Sequence, residues 1–412
     1  MGKLFKISIR NLLRYKRRTL LTASLITIGV VFVLGFISVA GSFKNMMVSQ
    51  ITDSAMGHLQ VHRRGYMAAV ESLPLTMNLQ SRPWELLKEK LNSLPEVEAY
   101  SPRLRFGGMF STFEQTTSIR LNGIYPDQEF KTVPLLTSRI IKGEKHLDRG
   151  EIFVPELLSQ GMGVKPGDTV VVITTNKDGS VNGKRFRVSG ILQSAQGPGG
   201  RDGYVRYEDA MELLRMPTME VSEVAIRVKD FSHETAFVKK LEGLLSKEVN
   251  AKGMPIFDVT SWEKLTPFYN IVQMIDLLSI FIKIMMVAVV LISIMNVMIM
   301  AVYERVREIG TIAAIGTLPG RILSMFVTEG FCLGAIGVIV GNIIGLGIIL
   351  ALNLYGVSFD FGRQKGLILH ATIAPLDVVV ISAIVIVVSV LASLQPAFKA
   401  SRMEPIKALR HV

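Results

Sequence analysis

Four long apolar runs, at residues 20–41, 279–302, 322–354 and 373–398, restrict this chain to folds that pass through a bilayer. Each is long enough to cross about 30 Å of hydrocarbon as a helix. In hydrocarbon a lone segment satisfies its backbone donors and acceptors only by being helical. Between the second and third runs lies Glu304-Arg305-Val306-Arg307-Glu308-Ile309-Gly310, followed by Ala313-Ala314-Ile315-Gly316-Thr317. Charges this dense between two spans must sit in water, and by the positive-inside tendency their cations choose the cytoplasm. Lys3, Lys6, Arg10, Arg14, Lys16, Arg17 and Arg18 precede the first run with no acid among them, and Lys399, Arg402, Lys407 and Arg410 follow the last. Both ends are therefore expected in the cytoplasm. The connection between the third and fourth runs holds Arg363 and Lys365, with Asp360 and Asp377 near its ends, and is expected on the outside.

This pattern divides the chain into a cytoplasmic amphipathic N-terminal helix (1–18), a first transmembrane helix (19–41) and a large external domain (42–270). A second transmembrane helix with an external extension (271–303), a cytoplasmic coupling helix and loop (304–320) and a third transmembrane helix (321–354) follow. A short external loop (355–372), a fourth transmembrane helix (373–398) and a cytoplasmic tail (399–412) complete it. The fold class is thus four transmembrane α-helices with a mixed α+β domain inserted between the first and second. A basic start before an apolar run can be a cleaved signal, but 20–41 is a full span and Ala40-Gly41 is a weak cleavage context, so a permanent helix is expected. Leu4, Phe5, Ile9, Leu12 and Leu13 alternate with Lys6, Arg10 and Arg14 at helical spacing, which suits a helix lying on anionic lipid. Much of the formal charge of +12 sits in the tails beside the membrane, so it indicates membrane lipids and no nucleic acid.

In the inserted domain, helical periodicity appears at 84–94, 154–162, 207–214 and 234–245, and strand alternation at 58–62, 117–123, 169–174, 184–192 and 224–228. Pro166-Gly167-Asp168 marks a turn, Asn176-Lys177-Asp178-Gly179 a hairpin tip, and the glycine-rich stretch 196–203 a surface loop. Cys332, the single cysteine, lies in the third run, so the domain relies on its packed core, with no disulfide or cysteine-bound zinc. Its histidines are His58, His62, His146 and His233. The first two, four apart in a strand, stand roughly 13 Å from one another, too far to share a metal. No Gly-x-Ser-x-Gly elbow or His-Glu-x-x-His is present. Gly183-Lys184 fails as a nucleotide-binding loop, because Asp178 stands for its first glycine and Arg185 for its Ser/Thr. No catalytic, cofactor-binding or metal-binding residue is assigned, and the chain is read as no enzyme.

These residues resemble the permease subunits of ABC transporters of the FtsX-like class, which includes lipoprotein-releasing permeases, the MacB type of exporter and the cell-division permease FtsX. The likeness spans nearly the whole chain. Its motifs are Glu304–Gly310 with Ala314-Ile315-Gly316, then Pro396-Ala397-x-x-Ala400 with Pro405-x-x-Ala408-Leu409-Arg410. In the inserted domain they are Glu156-Leu157-Leu158, Gly163-Val164-Lys165-Pro166-Gly167-Asp168 and Val188-Ser189-Gly190-Ile191, which resemble a MacB-like periplasmic core domain.

The resemblance implies a multi-pass permease of the bacterial inner membrane that dimerises with a second copy or a paralogue. A separate ABC ATPase would dock beneath each copy and would use the ATP and Mg, with no cofactor on this chain. Glu304, Arg305, Arg307, Glu308, Ile309, Gly310, Ala314 and Gly316 would couple to that ATPase, whose closure moves the periplasmic domains. The spans agree with such mechanotransmission, holding little polar beyond Lys283, Asn296, Glu329, Asn342 and Gln395, too little for a polar pore. Glycines 330, 334, 337, 341 and 345 permit close helix approach, within the subunit or at a dimer seam.

Among the class, the architecture and Gly57-His58-Leu59-Gln60-Val61-His62 with Gly65-Tyr66 are most similar to lipoprotein-releasing permeases. The apolar face of Ile271, Met274, Ile275, Leu278, Phe281 and Ile282 would then receive acylated lipoprotein cargo. A periplasmic chaperone is a further implied partner, although the hairpin 174–183 is short and lacks the proline of chaperone-recruiting subunits. The alternatives are efflux of another amphiphile, or FtsX-like signalling that activates a periplasmic partner.

Overall fold

The computed structural model describes residues 8, 10–193, 202–356, 358–361, 364–368 and 370–404. Lys3, Lys6, Ile9, Arg363, most of the glycine-rich loop and the tail motif from Pro405 to Arg410 lie outside the described residues. The chain forms two compact units, Met46–Asn270 and Met1–Asn45 with Ile271–Val412.

The inserted unit rests on a mixed sheet of ten strands: β1 (Leu59–Arg63), β2 (Val97–Ser111), β3 (Thr116–Ile124), β4 (Ile140–Gly143), β5 (Glu151–Pro155), β6 (Thr169–Thr175), β7 (Val181–Leu192), β8 (Asp202–Arg206), β9 (Glu223–Val228) and β10 (Phe257–Ser261). Their order is β10-β1-β9-β2-β3-β8-β5-β7-β4, with β6 beside β2 and β7. β2 makes the sheet continuous, its first half pairing with β9 through Arg103 and its second with β3 from Leu104. At about 3.4 Å per residue such a strand reaches roughly 50 Å, enough to serve two cores. In one, Leu59, Val61, Val224 and Ile226 pack on Trp84, Leu87 and Leu91 of helix Ser81–Ser93 and on Phe237, Leu241 and Leu245 of helix Glu234–Leu245. In the other, Leu104, Phe106, Val172 and Phe186 meet Leu158 of helix Glu156–Met162 and Ala210 and Leu213 of helix Tyr207–Leu213.

The five expected strands form, as do the helices near 84–94, 207–214 and 234–245 and the hairpin with its tip at 176–180. The helix expected from 154 begins instead at Glu156, because Val154 and Pro155 complete β5. Ile152-Phe153-Val154 is a fully buried strand, and a short continuous apolar run cannot be told from helix by periodicity. Asp202 and Gly203, expected in the loop, open β8, which pairs parallel with β3.

Where β2 meets β9, charge is buried. Arg103 donates from Nε and Nη2 to Glu129 at 3.0 and 2.6 Å and from Nη1 to Glu223 at 2.9 Å, while Arg105 Nη1 reaches Glu223 at 3.0 Å. Burial alone raises a carboxyl, yet Arg105 and Arg103, helped by His62, hold Glu223 at about 2. His62 stacks on Tyr66, with ring centroids 5.3 Å apart, and burial drives its imidazole down to about 4 against the upward pull of Glu223.

An imidazole at about 4 when folded and about 6.5 when unfolded leaves the unfolded chain binding more protons between those values. The unit is thus expected to lose about 3 kcal/mol as pH falls from about 6.5 to about 4. Glu223 extends the loss below about 4.5, where its unfolded form takes a proton that the folded form refuses. Trp84 and Trp262, the two tryptophans of the chain, both lie in this unit, so denaturant titration followed by tryptophan fluorescence reads it selectively. His62→Leu should flatten the limb between pH 6.5 and 4, and an unaltered limb would contradict the assignment.

In the second unit, helices Tyr269–Glu304, Pro319–Tyr355 and Pro375–Ser401, with the helix that starts at Lys16, are long and apolar enough to cross a membrane. The first continues to Ile51, past its expected end at 41, and closes in a π turn at Thr52–Met56. The glycine stripe is used within the chain. Gly330 and Gly334 face Ser393 and Ser389 of the fourth helix, and Gly337, Gly341 and Gly345 face Ile26, Val30 and Leu34 of the first. A Cβ at any of these glycines would lie within 2.9 Å of a neighbouring side chain, so hydrogen there sets the helix spacing. Asn342 Nδ2 donates to Ser382 Oγ at 2.9 Å, which ties the third helix to the fourth. Strands Ser358–Phe361 and Gln364–Ile368 pair within the stretch expected to be a plain loop.

Candidate coupling site

Helix Tyr269–Glu304 ends because Arg305 leaves helical geometry, at φ −112° and ψ 19°, and a short helix, Val306–Ala314, starts at once. Gly316, at φ +90°, and Leu318, extended, then turn the chain so that Pro319 opens the third apolar helix. Proline suits that position because its missing N–H has no helical acceptor there. The short helix buries Ile309 and Gly310 and exposes Arg307, Glu308, Ile312 and Ala314. Glu304 and Gly316 are also exposed, and Ile315 and Leu318 beyond the helix are 80% and 64% exposed. Charge beside exposed large aliphatics is the composition of a docking surface.

Arg305 departs from expectation. Its place in a dense charge cluster predicts exposure to water, but only 3% of it is exposed. The reason is Glu329, fully buried on the third apolar helix, whose Oε2 accepts from Arg305 Nη1 at 3.4 Å. Arg18 joins them, with Nη2 3.6 Å from Glu329 Oε1 and Nη1 donating to Glu304 at 2.9 Å. Further out, Arg14 pairs with Glu308 at 3.3 Å. Tyr15 is the turn that separates the helical stretch ending at Arg14 from the helix starting at Lys16. Its ring lies 4.7, 5.2 and 5.8 Å from the guanidinium carbons of Arg305, Arg18 and Arg14. A cation over an aromatic face retains part of the stabilisation it loses on leaving water.

The N-terminal segment therefore does more than rest on lipid. Leu12 enters the hydrophobic core of the membrane unit, Ser8 Oγ donates to Met325 O at 3.4 Å, and Leu13 and Arg10 face outward. The cluster is under-bonded, since Arg305 Nε and Nη2 and Glu329 Oε1 have no hydrogen-bond partner among the described residues. A buried network held by charge with unfilled donors can exchange between arrangements more readily than a saturated one.

The structure divides the residues read as cargo-facing. Met274, Leu278 and Phe281 are 54%, 46% and 57% exposed, in line with Leu277 and Ile284, while Ile271, Ile275 and Ile282 are half-buried. Lys283 is also half-buried, and nearby Asp276 pairs with Lys44 at 2.7 Å. In the inserted unit Gly183-Lys184 lies within β7, where Lys184 binds Asp209 at 2.8 Å and Glu212 at 2.5 Å. Glu329, about two turns into the third run near its cytoplasmic end, is expected from the sequence to bond to the N-terminal helix or the coupling segment, and the structure supplies both, a hydrogen bond from Arg305 and an ion pair with Arg18. What one dimension leaves open is which of the neighbouring cations, in Lys16-Arg17-Arg18 and in residues 304–308, pair with it.

Residues 19–244 match the family described as MacB-like periplasmic core domain, and residues 280–405 match FtsX-like permease C-terminal. The chain is 24% identical to the Lipoprotein-releasing system transmembrane protein LolC of Xylella fastidiosa strain Temecula1, over 97% of each chain. It is 30% identical to the Macrolide export ATP-binding/permease protein MacB of Nitrobacter winogradskyi, over 56% of this chain and 34% of that one. Among solved structures, the periplasmic region of MacB from Actinobacillus actinomycetemcomitans aligns with 51% of this chain and 92% of its own at 14% identity, with a TM-score of 0.35. With four membrane-length helices, a mixed α/β insertion and these two matches in order, the chain belongs to the MacB-like, FtsX-like family of ABC transporter permeases.

Proposed function

We propose that this chain is the inner-membrane subunit of an ATP-driven machine that releases lipoproteins, and the observation that carries the reading is its full-length likeness to LolC. Both termini and segment 304–320 face the cytoplasm in this reading, and 42–270 faces the periplasm. A separate ABC ATPase holds the ATP and Mg, and a second permease copy or paralogue completes the dimer. The ATPase seats on Glu304, Arg307, Glu308, Ala314 and Gly316, while Arg305, Ile309 and Gly310 fix the short helix to the spans. Closure of the ATPases then displaces the short helix, and the ion pairs to Arg14, Arg18 and Glu329 pass the displacement into the first and third apolar helices. Cargo acyl chains meet the second helix at Met274, Leu278 and Phe281. Each buried CH₂ contributes about 0.8 kcal/mol, so a multiply acylated anchor needs such a receiving surface.

Two experiments test this. The pair Arg307→Glu with Glu308→Arg alters the exposed charges and leaves the buried pair intact. It should uncouple ATP hydrolysis from release without affecting membrane insertion, and unchanged release with normal ATPase co-purification would refute the docking assignment. Photo-crosslinkers at Met274 and Leu278 should capture a lipoprotein without nucleotide and lose it on addition of ATP. The 30% identity to a macrolide exporter over 56% of the chain favours a second reading, efflux of another amphiphile. That reading gains if the crosslinkers capture a small amphiphile in place of lipoprotein. Crosslinks to the second permease copy alone favour signalling.

A further inference from the structure

The connection from β4 to β5 carries Glu144, His146, Asp148 and Glu151 on a backbone fixed at several points. Leu147 is 2% exposed, packed among Ile140, Phe153 and Tyr204. Its burial anchors the centre of the loop, and the flanking side chains of His146 and Asp148 are 60% and 68% exposed. Glu144 N donates to Ser189 O at 3.0 Å, Ser189 Oγ to His146 O at 2.9 Å, and Gly150 N to Asp209 Oδ2 at 2.8 Å. Gly143, at φ +90°, permits the approach, since a Cβ there would stand 2.2 Å from Ser189 O.

On this scaffold the side chains converge. His146 Nε2 lies 3.0 Å from Glu144 Oε2 and 3.6 Å from Asp148 Oδ2. Ligand atoms of His146, Asp148 and Glu151 all fall within 4.8 Å of one another. A proton on Nε2 accounts for the shorter contact, whereas 3.6 Å is too long for a hydrogen bond. Tetrahedral zinc, with ligands at about 2.0–2.2 Å, sets donor atoms about 3.3–3.6 Å apart, within the range of the two observed separations. Glu151 is held in place by accepting from Asp148 N at 3.0 Å. Arg187 lies 3.5 Å from Glu151 and 3.8 Å from Glu144, one cation against three carboxylates.

We propose that His146, Asp148 and Glu151, with Glu144 beside His146, form a site for a first-row divalent cation of the zinc type, which would clamp the β4–β5 connection to the start of β5. Full-length protein in nanodiscs, made without a histidine tag and stripped with chelator, should bind one Zn²⁺ per chain in competition with a fluorescent chelator, with Kd on the order of 1 µM or tighter. X-ray absorption should show one nitrogen and two or three oxygen ligands. His146→Ala and Asp148→Asn should each weaken binding by more than about tenfold. Glu144→Gln, at another exposed side chain, supplies a third variant that leaves the core untouched, and unchanged tryptophan fluorescence verifies folding in each. Absence of zinc binding overturns the site, as does a folded His146→Ala that binds as wild type. Calcium binding indifferent to His146→Ala overturns it too, because calcium takes oxygen ligands.

Discussion

On the function proposed above, Glu329→Ala is expected to reduce lipoprotein release by more than about 100-fold while the partner ATPase goes on hydrolysing ATP. Glu329 is fully buried, with Arg305 at 3.4 Å and Arg18 at 3.6 Å. Removing it leaves the buried Arg305 without a counter-charge, a change that costs about 3–5 kcal/mol in buried pairs, while Arg18 keeps Glu304 at 2.9 Å. The short helix must then either draw Arg305 out toward water or tilt, and in both cases the displacement proposed for it no longer reaches the third apolar helix. Release and ATPase activity measured together separate this from misfolding, because an unfolded subunit would not retain its ATPase. Glu329→Asp, which keeps the charge, should recover a large part of the release. Wild-type release by Glu329→Ala would show that the pair transmits nothing.

In the inserted unit, Arg103→Met should lower stability by about 3–5 kcal/mol, a large fraction of the 5–15 kcal/mol common for folded domains. Arg103 is 3% exposed and binds Glu129 and Glu223, both buried, so its loss strands Glu129 without a cation in the core. The double change Arg103→Met with Glu129→Leu removes the stranded charge and should regain most of the loss, while Arg105 still holds Glu223 at 3.0 Å. Denaturant midpoints from the fluorescence of Trp84 and Trp262 check both values. If the double variant is as unstable as the single, the cost lies in packing and the electrostatic account fails.

The difference between these two sites and the rest of the chain is a matter of distance along the sequence. Span number, the inserted domain, the hairpin after Gly167 and the helix Glu234–Leu245 are carried by neighbouring residues, so hydropathy and period reveal them. Family membership was legible for the same reason, since Glu304–Gly310 and the Gly163–Asp168 turn are contiguous strings. The limits of the helix 156–162 were not legible, because a strand buried between two neighbours, such as β5, has the same apolar run as a helix start.

What neighbouring residues cannot encode is which distant groups share a site. Arg305 looks like its exposed neighbours Glu304 and Arg307 until Glu329, a turn or more into another helix, is placed against it. Nothing adjacent in the sequence marks Arg103 and Arg105 as paired, and it is β9 and helix Pro126–Thr132 that bring Glu223 and Glu129 alongside them. The glycines of the third helix permitted either an internal seam or a dimer seam, and packing against Ile26, Val30, Leu34, Ser389 and Ser393 gave them the first. The sequence by itself determined the apolar spans and the local elements, because these follow from transfer to hydrocarbon and from backbone periodicity, which act over a few residues. Tertiary structure alone decided which charges are buried, because a charge leaves water only where the fold supplies its counter-charge.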